Sequence, residues 1–209
     1  MPSRNATFEI GSTFHIYNRG CNKGKIFFEE DNYIFLLNKI KKYSIEFKIS
    51  VLSYCLIPNH YHLVLRQNSE EQICKCVQFI FNGYVKAINK KYKRSGTLFE
   101  GKFKSVEIYD DKSILFVCRY VHRNPVDDKL VTKIEDWKYS NYLEWIGKRD
   151  SKLFDENFVK KYFPAPELYS KFVLDYFSDK QAADEMRKYK QFLRSHKGAS
   201  HFESDWHLD

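Results

Sequence analysis

His60 and His62 stand one residue apart in the run Pro58-Asn-His-Tyr-His-Leu-Val-Leu65. Side chains alternate along a strand, so the two imidazoles share one face and Tyr61 takes the other. Two imidazoles so placed can bind a single metal ion, whereas one strand histidine alone is more often a core or surface residue. A second group lies in Arg119-Tyr-Val-His-Arg-Asn-Pro125, which reads as a helix that stops at the proline. Tyr120 and Asn124 are four residues apart and so lie one above the other on that helix. The phenol oxygen of Tyr120 is a nucleophile. The Asn124 carbonyl oxygen is a third metal ligand or, with equal weight, the side chain is a helix C-cap before the proline. On ligand chemistry alone, two imidazoles favour manganese or zinc over magnesium, which prefers oxygen. No general base stands out; His122, two residues from Tyr120, points to another face and reads as a surface residue.

The elements that must hold these groups can be read from periodicity. A first strand at Phe14–Tyr17 leads into a polar turn through Gly24. A helix follows over about 30–47, with Tyr33, Ile34, Leu37, Ile40 and Ile45 at roughly helical spacing. Ser50 to Ile57 is a strand, Pro58-Asn59 a turn, and His60 opens the next strand. A second long helix spans about 69–92. It opens on a capping box, Ser69-Glu-Glu-Gln72, and carries the core stripe Ile73, Val77, Ile80, Phe81, Tyr84 and Ile88. A fourth strand runs over 97–108, and the tyrosine helix begins after Asp110-Asp111. The order β-α-β-β-α-β is the ferredoxin-like arrangement, an α+β fold with a four-stranded antiparallel sheet, here with an added helix. Residues 127–147 read as a connection. Three further helices, about 153–163, 166–177 and 178–195, form a C-terminal extension, and 197–209 reads as loose. The expected division is a motif-bearing domain at 1–146 and a helical extension at 147–209.

The charge is +8, and it belongs to one part of the chain. Residues 1–148 hold 24 basic and 16 acidic side chains, and 149–209 hold 11 of each. A positive field over the motif-bearing part suits a polyanionic partner. Residues 84–104 concentrate it: Lys86, Lys90, Lys91, Lys93, Arg94, Lys102 and Lys104 against the single acid Glu100, interleaved with Tyr84, Tyr92, Phe99 and Phe103. Basic side chains track phosphates while rings stack on unpaired bases; a solvated helix end and half-buried strand account for about half of these residues. Arg19, Lys23 and Lys25 form a weaker patch, and Arg119 and Arg123 flank Tyr120. Five cysteines, mostly in apolar runs, read as reduced thiols of a cytosolic protein. No signal peptide or membrane-length apolar run is present, so no membrane partner is expected.

Several ordered motifs resemble the single-tyrosine HUH transposases of the insertion-sequence-200 type, and within them the REP-associated tyrosine transposase branch. They are Phe14-His-Ile-Tyr-Asn-Arg-Gly20, Ile57-Pro-Asn-His-Tyr-His-Leu-Val64, Gly96-Thr-Leu-Phe-Glu-Gly-Lys-Phe103, Arg119-Tyr-Val-His-Arg-Asn-Pro-Val126 and Trp137-Lys-Tyr-Ser-Asn-Tyr142. Together they cover about residues 14–146. Tyr61 replaces the aliphatic residue the family carries between its histidines. The resemblance implies cutting and rejoining of single-stranded DNA with magnesium or manganese. Tyr120 would be the nucleophile, and a 5′-phosphotyrosine would hold the cut end. It implies a hairpin-bearing substrate, and it leans toward a monomer rather than a homodimer. Two other readings stay open: a non-catalytic nucleic-acid binder with an RRM-like sheet, and a domesticated nuclease acting on chromosomal hairpins outside transposition. A zinc hydrolase built on the two histidines lacks a placed carboxylate.

Overall fold

A computed structural model of the chain describes residues 9–151, 153–175, 180–195 and 199–202. Strands β1 (Thr13–Arg19), β2 (Ile49–Ile57), β3 (His60–Gln67) and β4 (Lys104–Ile108) alternate with helices α1 (Glu30–Glu46), α2 (Ile73–Lys91) and α3 (Asp111–Asp127). Then come a short α4 (Tyr142–Trp145), α5 (Glu156–Tyr162), α6 (Pro166–Leu174), α7 (Lys180–Ser195) and β5 (Ala199–Phe202). The order across the sheet is β2-β3-β1-β4-β5. The first four strands are antiparallel and make the ferredoxin-like core, while β5 joins β4 in parallel. Residues 199–202, expected to be loose, thus take up the backbone groups that the outer edge of β4 would leave unpaired. The rest of that expected loose end lies outside the described residues.

Both faces of the sheet are covered, which is why β2 and β3 read as nearly unbroken apolar runs. Helices α1 and α2 pack on the face carrying Phe14, Ile16, Leu56, Tyr61 and Leu63. Helix α3 and the C-terminal helices pack on the other, over Cys55, Ile57, Val64 and Val106. Among the described residues no helix is long and apolar enough to cross a membrane.

Three boundaries differ from the periodicity, each for a local reason. Helix α2 starts at Ile73 rather than Ser69. The Ser69 hydroxyl is turned to the Phe47 carbonyl, and the Gln67 side chain accepts from the Ile73 N–H instead. Strand β4 starts at Lys104 because Gly96 and Gly101, at φ +85° and +78°, turn the chain through 97–103. Helix α3 runs through Pro125 to Asp127 rather than stopping before the proline. Its last turn is still closed by Asp128 N–H on Asn124 O and Leu130 N–H on Pro125 O.

The outer edge of β2 is clasped by the Trp137–Trp145 segment. The register shifts between Val51 and Ser53. The Leu52 carbonyl at this bulge accepts from Asn141 Nδ2 and Trp145 Nε1, both at 3.0 Å. Behind it sits His122, which is buried and not on the surface. Helix α3 is packed between sheet and C-terminal helices, so even the face away from Tyr120 is enclosed. The His122 ring bonds Ser53, Asn141 and Tyr169 at 3.0, 2.9 and 2.6 Å. Burial pushes its pKa down to about 4. The unfolded chain therefore binds a proton between about pH 6.5 and 4 that the folded chain refuses. The stability this neutral ring contributes is complete above pH 6.5 and drains away as pH falls toward 4, by on the order of 3 kcal/mol. Urea denaturation across that range should show the slope, and His122→Asn should flatten it.

Candidate active site

The site is built on the middle of the sheet, where β3 is paired on both sides and has little freedom. Tyr17 lies opposite His62 and Arg19 opposite His60, while His15 lies opposite Val64. Residues directly across an antiparallel pair point the same way, so His15, Tyr17, His60 and His62 all face α3. Tyr61 faces the other core and stacks on Phe81 at 4.1 Å between ring centroids. The start of α3 is pinned by Asp110, whose carboxylate accepts from Ser113 N–H at 2.8 Å. The helix then crosses the sheet and brings the Tyr120 ring edge-on to His62, with centroids 5.4 Å apart. The rings of His60 and His62 are nearly perpendicular, 5.1 Å apart.

Each histidine has its Nδ1 engaged inside the protein. His60 Nδ1 is 2.7 Å from the Asn59 side-chain oxygen, which can only accept, so the proton is on Nδ1. His62 Nδ1 is 2.9 Å from His15 Nε2. Nε2 of each ring is the nitrogen left for a ligand. Burial lowers the pKa of both rings, that of His62 furthest; Asp128 opposes the shift at His60. Both are therefore neutral lone-pair donors at neutral pH. The Asp128 carboxylate lies 3.7 Å from His60 Nε2. Two imidazole nitrogens, an amide oxygen and a nearby carboxylate are a donor set that suits manganese. Among the described residues no three His, Cys, Asp or Glu side chains cluster as a ready-made metal site. A cation here would thus depend on Asn124 or on the substrate for further oxygens.

Tyr120 is only 6% exposed, and burial raises its pKa. Asn124 works against that shift and also favours the charged form of His60, so its amide bears on both groups. Its Nδ2 donates to the Tyr120 carbonyl at 2.9 Å. The helix does not end there, so Asn124 is not a C-cap. The phenol is held in its neutral form, a preference that only nearby positive charge would oppose.

That charge lines the cleft, which encloses about 590 Å³ between Tyr17, Asn59, the two histidines, Tyr120, Asn124, Asp127 and Asp128. Arg19, Lys23, Lys104, Lys190 and Arg194 stand around it. Of the basic residues singled out in the sequence, Arg19, Lys23 and Lys104 are brought to the cleft with the histidines, and Arg19 is ion-paired with Glu100. Lys102 is on the adjoining loop. Lys86, Lys90, Lys91, Tyr92, Lys93 and Arg94 belong to the end of α2, on the other helical layer. There Lys91 pairs with Glu29, Tyr92 donates to Asn32 and Arg94 lies over Phe28. Arg119 and Arg123 are 1% exposed and are not part of a binding surface. Arg119 donates to the Phe172 carbonyl and lies over the Phe172 ring, and Arg123 pairs with Asp127. They dock α6 on α3. Tyr84 and Phe99 are core.

His15, Tyr17, Tyr189, Lys190 and Arg194 were not singled out in the sequence. His15 and Tyr17 had a signal: they form the same alternating pair on β1 that His60 and His62 form on β3. The three residues of α7 had none.

The sequence model of the family described as IS200-like transposases matches residues 10–124. No curated protein matches the chain. A solved structure of a REP-associated tyrosine transposase bound to a REP hairpin is similar, with a TM-score of 0.61 at 14% identity. The match covers 75% of this chain and 98% of that one. A candidate transposase from Deinococcus radiodurans R1 matches at a TM-score of 0.40 and 11% identity, over 59% of this chain and 96% of that one. The family match takes in the strands of the core, both histidines and the tyrosine helix, and this chain belongs to the IS200-like transposases.

Proposed function

We propose that this chain is a metal-dependent, site-specific single-stranded DNA endonuclease and strand transferase that acts on hairpin-bearing DNA. The observation that carries the reading is the meeting of Tyr120, His60 and His62 in one cleft rimmed by basic side chains. The DNA strand enters along Arg19, Lys23, Lys104, Lys190 and Arg194, which bind its phosphates. His60, His62 and Asn124 are the residues that would hold a divalent cation, manganese or magnesium. When bound, it supplies positive charge that offsets the charge building on the scissile phosphate. Tyr120 Oη attacks phosphorus in line and loses its proton. The bond to the 3′ oxygen breaks, that oxygen takes up a proton, and the cut strand leaves as a 3′-hydroxyl. The new O–P bond is a 5′-phosphotyrosine. Attack on it by a 3′-hydroxyl reverses the step and joins a strand.

Family membership and the hairpin bound by the similar structure support this substrate. Action as a monomer belongs to the same reading, with α7 of the C-terminal extension closing the cleft through Lys190, Leu193 and Arg194. The test is a covalent-adduct gel. The protein is incubated with manganese and single-stranded, hairpin-bearing fragments, denatured and run for a shifted protein–DNA band. A slower band dependent on both DNA and manganese is expected. Tight binding with no adduct across a varied DNA library would replace this reading with the non-catalytic binder.

A further inference from the structure

Behind His62 runs a buried chain of hydrogen bonds that leaves the core and enters α7. His62 Nδ1 meets His15 Nε2 at 2.9 Å, and His15 Nδ1 meets the Tyr189 hydroxyl at 2.6 Å. His15 and Tyr189 have no solvent exposure, and His62 has 5%. The imidazoles of His15 and His62 are stacked at 5.0 Å, and Tyr189 closes over Tyr120 at 5.2 Å. In so enclosed a place the low local dielectric strengthens the hydrogen bonds that link the three groups.

Direction matters in such a chain. For His62 Nε2 to hold a cation, its proton must be on Nδ1. His15 Nε2 must then accept, so the His15 proton is on Nδ1 and is donated to the Tyr189 oxygen. In the opposite arrangement Tyr189 donates, every proton shifts along, and His62 Nε2 carries a hydrogen that blocks the cation. A ligand histidine is normally oriented by the acceptor on its other nitrogen, and losing that acceptor weakens metal binding about 10–100-fold. We propose that His15 and Tyr189 are positioning residues for the cation: they hold His62 in the Nδ1–H form and aim its Nε2 into the cleft. The extension thereby supplies part of the site's support rather than only its cover. This rests on the reading of His60 and His62 as cation ligands.

The test measures manganese affinity of the full chain by calorimetry or electron paramagnetic resonance, with histidine tautomers read by long-range nitrogen–proton NMR. His62 and His15 should both be Nδ1–H in the cation-free protein. His15→Leu, close in size and without an acceptor, should weaken manganese binding about 10–100-fold. His15→Gln, whose amide oxygen can accept from His62, should recover much of it. Tyr189→Phe keeps the packing and should weaken binding several-fold while shifting His15 away from the single Nδ1–H form. It keeps the test decisive if His15→Leu fails to fold. Affinities within twofold of the parent in folded His15→Leu and Tyr189→Phe, or His62 found as Nε2–H, would overturn the inference. His60→Ala is the separate arm: if it binds manganese as the parent does, the ligand assignment itself is wrong.

Discussion

Tyr120→Phe abolishes the covalent protein–DNA adduct and leaves DNA binding within about twofold. The substitution removes one oxygen. The ring, which touches His15, His62 and Tyr189, stays in place. Loss of the hydroxyl also removes a polar atom from a buried site, so stability changes by no more than about 1 kcal/mol. The side chains proposed to bind phosphates, Arg19, Lys23, Lys104, Lys190 and Arg194, line the same cleft and keep their positions without that oxygen. Losing chemistry and binding together would mean a misfolded cleft, which circular dichroism would reveal. An adduct that persists in Tyr120→Phe would move the nucleophile elsewhere, and Tyr17, on the same face, is then the first to test.

The second large effect is expected at the histidines. His60→Ala and His62→Ala each remove a neutral imidazole, and either should lower the rate of adduct formation roughly a thousandfold. That corresponds to the several kcal/mol of charge stabilisation a bound cation gives a phosphoryl transition state. Chelating the metal from the parent protein should give the same loss, and adding chelator to either variant should change little more. Single-turnover cleavage of a labelled hairpin strand measures all three. Because burial lowers the pKa of both rings, cation binding should persist below pH 6.5 and then fail on further acidification, first through His60. His62 should fail last, since its ring is depressed furthest. A binding curve that already fails at pH 6.5 would mean the rings are more open to water than the cleft shows.

Which of these groups could be seen in the sequence follows from the range of the forces that place them. His60 and His62 were legible because the two-residue turn and the strand period fix their face locally. The pairing of Tyr120 with Asn124 was legible from helical spacing. The four strands and first three helices were legible for the same reason. Partners supplied by long-range docking were not. His122 was taken for a surface residue because nothing local says that α6 brings Tyr169 onto it. Arg119 and Arg123 were taken for phosphate binders because their burial is created by α6 carbonyls some fifty positions away. β5 was missed because a four-residue strand shows its pairing only once the edge of β4 is known.

The hydrogen bond between His15 and Tyr189 spans 174 positions of the chain. A ribosome adds about 5–20 residues per second, so His15 emerges roughly ten to thirty seconds before its partner is made. During that interval β1, β3 and α3 can already bring the two histidines and the tyrosine together, while the buried chain behind His62 is still open at one end. The bond behind His62 can therefore close only after β1, β3 and α3 have all been made.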